Sequence, residues 1–457
     1  MLELRTDGET SPTLNHWFGS VSFFLFLVLL GIIIYFDDLQ ITRTAMQEIP
    51  TIYNTRLLGV KIIDMLSLGM FSLLALNLVL KQAIRIGPFH NAMGVIVLIY
   101  CYAAAVGFIY SFVFRYDYVI WLQDFQQTIY MSGFFLLTYY LLDARRKWAA
   151  FVVCLLVFMA LKNILILYWS LTGVGKLIGD WAVRASQNSE FAYFPMMFFP
   201  LLILFLQPTE KTPRLLVGLV LLVYLFNSLL GIYRTVWVML IVGTIYLFFH
   251  LDRVSRIKLA LMAAGGLSFV LVVISIFFPR FLALAWNFKF ASIFDWSVSG
   301  DRSNATRILE FINVTHRVMS NFAFLQGMGL GAWWDDSARR LLPDLGSGFT
   351  YKTRFTTTHM WYVTQLLKLG FLGTIVYWGC IYKMFRRTRE HLRSMAAHRW
   401  ERKVLLGLNI GLLCAFLSSA DFVRLFIMIG INIGLTARWI TLDTEERALR
   451  TGDSATA

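Results

Sequence analysis

Apolar runs long enough to cross a bilayer alternate with short polar segments along nearly the whole chain. Covering ~30 Å of hydrocarbon at ~1.5 Å per residue takes roughly 17–25 residues. Twelve such runs are read, near 18–36, 59–80, 90–114, 125–142, 148–170, 191–207, 214–232, 234–250, 257–279, 359–384, 404–419 and 422–440. The pattern predicts an all-α polytopic integral membrane protein with about twelve transmembrane helices. The fourth run opens on the polar string "QDFQQT", and the last two are short and close together. The leading "MLELRTDGETSPTLNHW" lacks a basic n-region, and no A-x-A site follows the first run, so the first span is expected to stay as an anchor.

The polar segments alternate in charge. "KQAIR", "DARRK", "EKTPR", "DRVSRIK" and "KMFRRTREHLRSMAAHRWERK" (383–403) are basic, whereas "FDDLQ", "RYDY", the 171–190 segment and the "SSAD" turn are not. The positive-inside rule places the first group, and with it both termini, in the cytoplasm. Twelve spans close this assignment without contradiction. Residues 1–279 then carry the first nine helices, 280–358 form a large external loop, and 359–457 hold the last three helices and a cytoplasmic tail.

Composition agrees: the chain is 58% hydrophobic and 15% charged, which excludes an ordinary soluble domain. The net charge of +14 raises nucleic acid as a partner, but basic cytoplasmic loops account for it, and none is expected. Cys101, Cys154, Cys380 and Cys414 all fall inside predicted spans, so neither a disulfide frame nor a zinc site is suggested.

The 280–358 loop breaks the charge pattern. It holds nine basic residues (Arg280, Lys289, Arg302, Arg307, Arg317, Arg339, Arg340, Lys352 and Arg354) against six acidic ones. Two readings stand for these cations: contact with anionic lipid headgroups, or a site for an anionic substrate. "SNATRILEFINVTHRVMSN" (303–321) predicts an amphipathic helix capped by Ser303 or Asn304, with Ile308, Phe311, Ile312, Thr315 and Met319 on one face. Arg307, Glu310 and Arg317 fall elsewhere on it. Such a helix lies on the outer leaflet or roofs a cavity. "LQGMGLGAWW" follows, and its alternating Gly327, Gly329 and Gly331 permit a tight turn and close backbone approach, while the tryptophans suit the interface or a sugar face. Arg234, in "NSLLGIYRTVWVML", sits at the outward junction of the seventh and eighth spans. Lys162 and Asn163, in "MALKNILIL", lie about two turns inside the fifth. Snorkelling or structural hydrogen bonding competes at these positions with substrate contact.

Taken together these features resemble the O-antigen ligase/polymerase superfamily of bacterial envelope glycosyltransferases. The resemblance rests on the multi-span layout, the late external loop, Arg234 in "YRTVW", Arg307 ahead of the Gly-x-Gly-x-Gly in "TRILEF…QGMGLG", and His359 opening the next span. Ten residues separate His359 from Gly370, and Gly373 follows three later. Met360 departs from the pattern, since a small polar residue, often asparagine, usually follows that histidine. The likeness covers roughly 190–385.

The resemblance implies an inner-membrane enzyme of a bacterium that takes a glycan from a polyprenyl diphosphate and attaches it to an acceptor hydroxyl. Arg234 and Arg307 would bind the diphosphate, His359 would be the general base, and Arg302, Arg354 and Lys162 are additional candidate contacts. Arginine's planar fork matches phosphate oxygens, and an imidazole with a pKa near 6.5 can take a hydroxyl proton at neutral pH. No cofactor or metal is expected, because the leaving group is already good. The acceptor is a second lipid-linked repeat unit in a polymerase, or lipid A–core or a protein in a ligase; Met360 and the long loop favour polymerase. Membrane lipids are further partners, with a chain-length regulator as a candidate companion. A flippase for the same lipid-linked glycan is the rival of another class, but the chain lacks matching halves and paired Gly/Pro-broken spans.

Overall fold

A computed structural model of the chain describes residues 12–35, 56–57, 60–81, 86–172, 176–178, 182–184, 190–209, 212–230, 234–277, 302–338, 354–356, 358, 360–396, 398–417 and 423–451. Thirteen α-helices occur among them: α1 (Pro12–Tyr35), α2 (Ile62–Lys81), α3 (His90–Phe114), α4 (Tyr118–Leu141), α5 (Arg145–Thr172), α6 (Glu190–Leu206), α7 (Arg214–Leu230), α8 (Arg234–His250), α9 (Arg253–Phe277), α10 (Arg302–Ser320), α11 (Trp361–Ser394), α12 (Trp400–Leu417) and α13 (Val423–Thr451). Two small antiparallel strand pairs, Arg56–Leu57 with Val60–Lys61 and Lys176–Ile178 with Ala182–Arg184, decorate connections.

The chain is a helical membrane protein. Among the described residues five stretches are long and apolar enough to cross a bilayer: Ile62–Val79, His90–Phe114, Arg145–Trp169, Arg253–Val273 and Leu425–Arg450. Parts of α1, α6, α7 and α8 are shorter apolar helices. α4, α11 and α12 fall outside both groups because each carries polar side chains, and the packing explains how these are tolerated. Asp117 caps α4 by accepting from Val119 N at 2.8 Å, and Asp124 and Thr128 of the polar "QDFQQT" are buried. There Gln126 and Tyr130 both donate to Asp64 of α2. Polar groups that satisfy one another between helices do not have to face lipid.

The middle of the bundle is α13, which packs on α4, while α12 packs on α6. Both contacts use glycines four residues apart. A Cβ on Gly407 or Gly411 would overlap the α6 backbone at Pro200 or Met196, and one on Gly430 or Gly434 would overlap α4 at Met131 or Thr138. Small residues at that spacing let two backbones approach, which is the main source of helix association where lipid removes the hydrophobic drive. α11 runs ten residues past the predicted end of its apolar run, and this basic extension still packs on the bundle through buried Thr388 and Leu392. It is also broken: Gly370 has φ 68° and ψ −178°, outside helical values.

Candidate active site beneath the mouth of α11

The break in α11 is filled by backbone from the segment that follows α10. After α10 the chain turns through Phe322 (φ 53°) and enters the bundle as Gly327, Gly329 and Gly331, with φ of 78°, 82° and 78°. Those values are strained for any residue with a Cβ and ordinary for glycine. Met328 N donates to Leu367 O at 2.8 Å, Gly329 N to Lys368 O at 3.0 Å, and Leu330 N to Ala103 O of α3 at 2.9 Å. Past the break, Phe371 N and Leu372 N donate to Phe324 O and Leu325 O. The loop therefore satisfies the amides and carbonyls that the interrupted helix leaves open. A Cβ on Gly329 would overlap the Gly107 backbone, and one on Gly327 would overlap Gly370. Gly370 was singled out on the sequence; here it and Gly327 pack face to face.

Depth follows from helix rise. Ala103 lies eleven residues from the Phe114 end of α3, and Lys368 seven from the Trp361 end of α11. At ~1.5 Å per residue the loop reaches roughly 10–16 Å below those ends, well into a ~30 Å hydrocarbon layer. Irregular backbone survives at such depth only when enclosed by protein. Residues 327–332 are all buried. One charged pair locks them in. Lys368 Nζ lies 2.5 Å from Asp124 Oδ1, and Asp124 Oδ2 accepts from Gly331 N at 2.8 Å. Both side chains are almost fully buried.

α10 lies over this loop, and the side it turns to the protein carries buried Leu309, Val314 and Val318 together with polar residues. Thr306, Glu310 and Asn313 are buried, and Arg317 continues their stripe at helical spacing. Phe311, Ile312 and Met319 of the apolar face are exposed. The sequence left both orientations open; most of the predicted apolar face is outward. Arg317 stacks over Trp333 at 4.1 Å and reaches Phe114 at 5.3 Å, and Arg354 covers Trp333 at 4.3 Å. Trp333 thus sits among two guanidinium groups, neither of which has a carboxylate partner among the described residues. Trp334 and Phe355 pair through two 2.7 Å backbone bonds, and this brings Arg354 to Trp333. Burial pushes the Tyr116 phenol well up, opposed by the charge of Arg317, so it stays a donor, bonded to Met328 O.

The mouth of α11 adjoins this group. Thr358 donates its amide to Thr364 Oγ1 at 3.0 Å and its hydroxyl to Met360 O at 2.6 Å. His359 itself lies outside the described residues; its two neighbours are fixed at the helix start. Arg307 is half-buried and lies within electrostatic reach of the Tyr362 hydroxyl. Of the sequence candidates, Arg307 and Arg354 come to this mouth. Arg234 and Arg302 begin α8 and α10, but their side chains lie outside the described residues. Lys162 is buried elsewhere, with Nζ 3.4 Å from Tyr35 O and 5.1 Å from the Trp169 ring, while Asn163 accepts from Asn227 at 2.6 Å. That favours a structural role for the pair.

Arg317, Asp124 and Lys368 were not assigned a role from sequence. A signal existed for each: a polar stripe at positions 306, 310, 313 and 317, a charge inside an apolar run at Lys368, and a carboxylate at the polar opening of the fourth run at Asp124. No group of three His, Cys, Asp or Glu side chains gathers among the described residues. A scan against protein-family models finds no match for the chain, and a search of curated proteins finds no significantly similar sequence.

Proposed function

We propose that the protein is a membrane glycosyltransferase that takes a glycan from a polyprenyl diphosphate at the outer face of a bacterial cytoplasmic membrane and adds it to another lipid-linked repeat unit. In this reading twelve helices cross the membrane, 280–358 is external, and both termini are cytoplasmic. The observation that carries it is the cationic and aromatic group at the mouth of α11: Arg307, Arg317 and Arg354 gathered around Trp333 and the start of the helix that His359 precedes. The acceptor oxygen attacks the anomeric carbon, the bond from that carbon to the diphosphate breaks, and the electron pair leaves with the diphosphate. Arginine forks stabilise the departing charge, Trp333 offers a face to a sugar ring, and the hydroxyl proton passes to His359. Transfer to lipid A–core, as a ligase would do, uses the same steps with another acceptor.

The test uses purified full-length protein with lipid-linked oligosaccharide and EDTA. The native chain should form longer glycans. Arg234→Ala, Arg307→Ala and Arg317→Ala should each lose about 10²-fold or more in rate, with lysine rescuing only in part because it lacks the fork. His359→Ala should lose about 10²–10⁴-fold, and His359→Gln should be little better. Full activity in all three arginine variants, or dependence on added magnesium, overturns this site. The break in α11 favours one second reading, a flippase, because interrupted helices at membrane depth line transport paths. Deletion in the native host separates the two: loss of polymerisation leaves single units on the surface, and loss of flipping leaves none.

A further inference from the structure

The opposite end of the bundle holds a separate small recess of about 40 Å³ between the end of α8, the second half of α11 and the start of α12. Each helix offers a stripe at helical spacing: Tyr246 and His250, Arg389 and Arg393, and Arg402 with Asn409. No carboxylate lines it. This is unlike the rest of that end, where Arg386 pairs with Glu390 at 2.8 Å, Arg399 with Asp443 at 2.6 Å, Arg447 with Asp443 at 2.7 Å and Arg145 with Glu401 at 2.5 Å. Arg389 and Arg393 form no hydrogen bond or ion pair with a described residue, although like charges four apart on a helix repel each other. Arg402 commits only its Nε, to Leu392 O at 2.9 Å, which leaves both terminal amino groups of its fork uncommitted among the described residues. Asn409 is 6% exposed, yet its amide has no hydrogen-bond partner among the described residues.

We infer that this recess binds the phosphate of an anionic phospholipid. Two arginine forks, a third guanidinium and an amide line this one small recess, and arginine matches phosphate oxygens in bidentate fashion. His250 donates Nδ1–H to Tyr246 O at 2.9 Å and stacks on that ring, which leaves Nε2 as an acceptor for a headgroup hydroxyl. The surroundings select a lipid over a soluble phosphate. α8 and α11 both pack on α12 and barely touch each other, so a seam runs between them. Just above the recess α8 exposes Ile245 and Phe249, and α11 exposes Tyr382, apolar surface along which acyl chains can lie. Basic pockets between helices at the bilayer surface are the usual docking place for anionic headgroups. The inference is independent of the enzymatic reading, since the recess lies at the far end of α11 from His359.

Full-length protein purified in mild detergent would be mixed with phosphatidylglycerol, phosphatidylcholine or inorganic phosphate. Retained lipid is read by native mass spectrometry and stability by the thermal unfolding midpoint. Phosphatidylglycerol should be retained at least tenfold better than phosphatidylcholine and should raise the midpoint. Arg389→Gln/Arg393→Gln should lose that tenfold preference, and Arg402→Gln or Asn409→Leu should weaken it, while Arg450→Gln outside the recess keeps it. The double variant changes only exposed side chains, so it remains informative if Arg402→Gln folds poorly. Equal retention of both lipids by the native chain, or unchanged preference in the double variant, overturns the site. Displacement of phosphatidylglycerol by millimolar phosphate overturns the lipid assignment.

Discussion

Asp124 and Lys368 show how two residues that look misplaced in lipid become necessary to each other. The lysine balances the carboxylate, and the carboxylate also holds Gly331 N, so three elements meet on one pair. Removing one partner of a buried ion pair typically costs about 3–5 kcal/mol, because the other charge is left in a poor solvent. Lys368→Met is therefore expected to lower unfolding stability by about that amount. The double variant Asp124→Asn/Lys368→Met should recover most of it, since asparagine still offers an oxygen to Gly331 N. Denaturant titration in micelles measures both, and a double variant no better than Lys368→Met would show that the charge pair is not what matters. Lys368 is a charge inside an apolar run, and Asp124 lies in the polar string that opens the fourth one. Their pairing was not legible, because 244 positions separate them and no local pattern encodes a contact of that range. Arg317 was obscured differently: its place on α10 away from the apolar stripe left open whether it met headgroups, water or protein.

At the scale of elements, α11 and the glycine loop form one unit built from two distant segments. The alternation Gly327, Gly329, Gly331 was legible as a place of close backbone approach. What it approaches, Gly107 and Gly370, was not, although Gly370 carried its own mark through its spacing from His359. Gly329→Ala should be severely destabilising, because φ of 82° and overlap with Gly107 penalise the same methyl. A loss of at least about 3 kcal/mol, or failure to accumulate folded protein, is expected. Gly379→Ala, also in α11 but with nothing near its Cβ position, should be neutral or stabilising by up to about 1 kcal/mol. Thermal unfolding of the two variants side by side checks this, and a well-folded Gly329→Ala would mean that the loop does not enter the bundle.

For the whole molecule, helix positions were the most legible property. Each of the twelve apolar runs carries a helix, since length and apolarity are local. Helix partners were less so: the Gly407/Gly411 and Gly430/Gly434 spacings that seat α12 on α6 and α13 on α4 are visible in the sequence but do not name the facing helix. Sidedness is tested by labelling. In a background without native cysteines, Ser347→Cys should react with a membrane-impermeant thiol reagent in intact spheroplasts, and Ser394→Cys only after permeabilisation. The reverse pattern would move the proposed site to the wrong side. The glycine loop also has a consequence for how the chain is made. α3 and α4 leave the ribosome long before the loop and α11 exist, so Asp124 must wait through 244 residues of synthesis for its cation. At about 5–20 residues per second that is roughly 12–50 s. Over that interval the nascent protein holds a carboxylate with no counter-charge from Lys368 and a crevice at Ala103 and Gly107 still empty, the stage at which insertion machinery has most to shield.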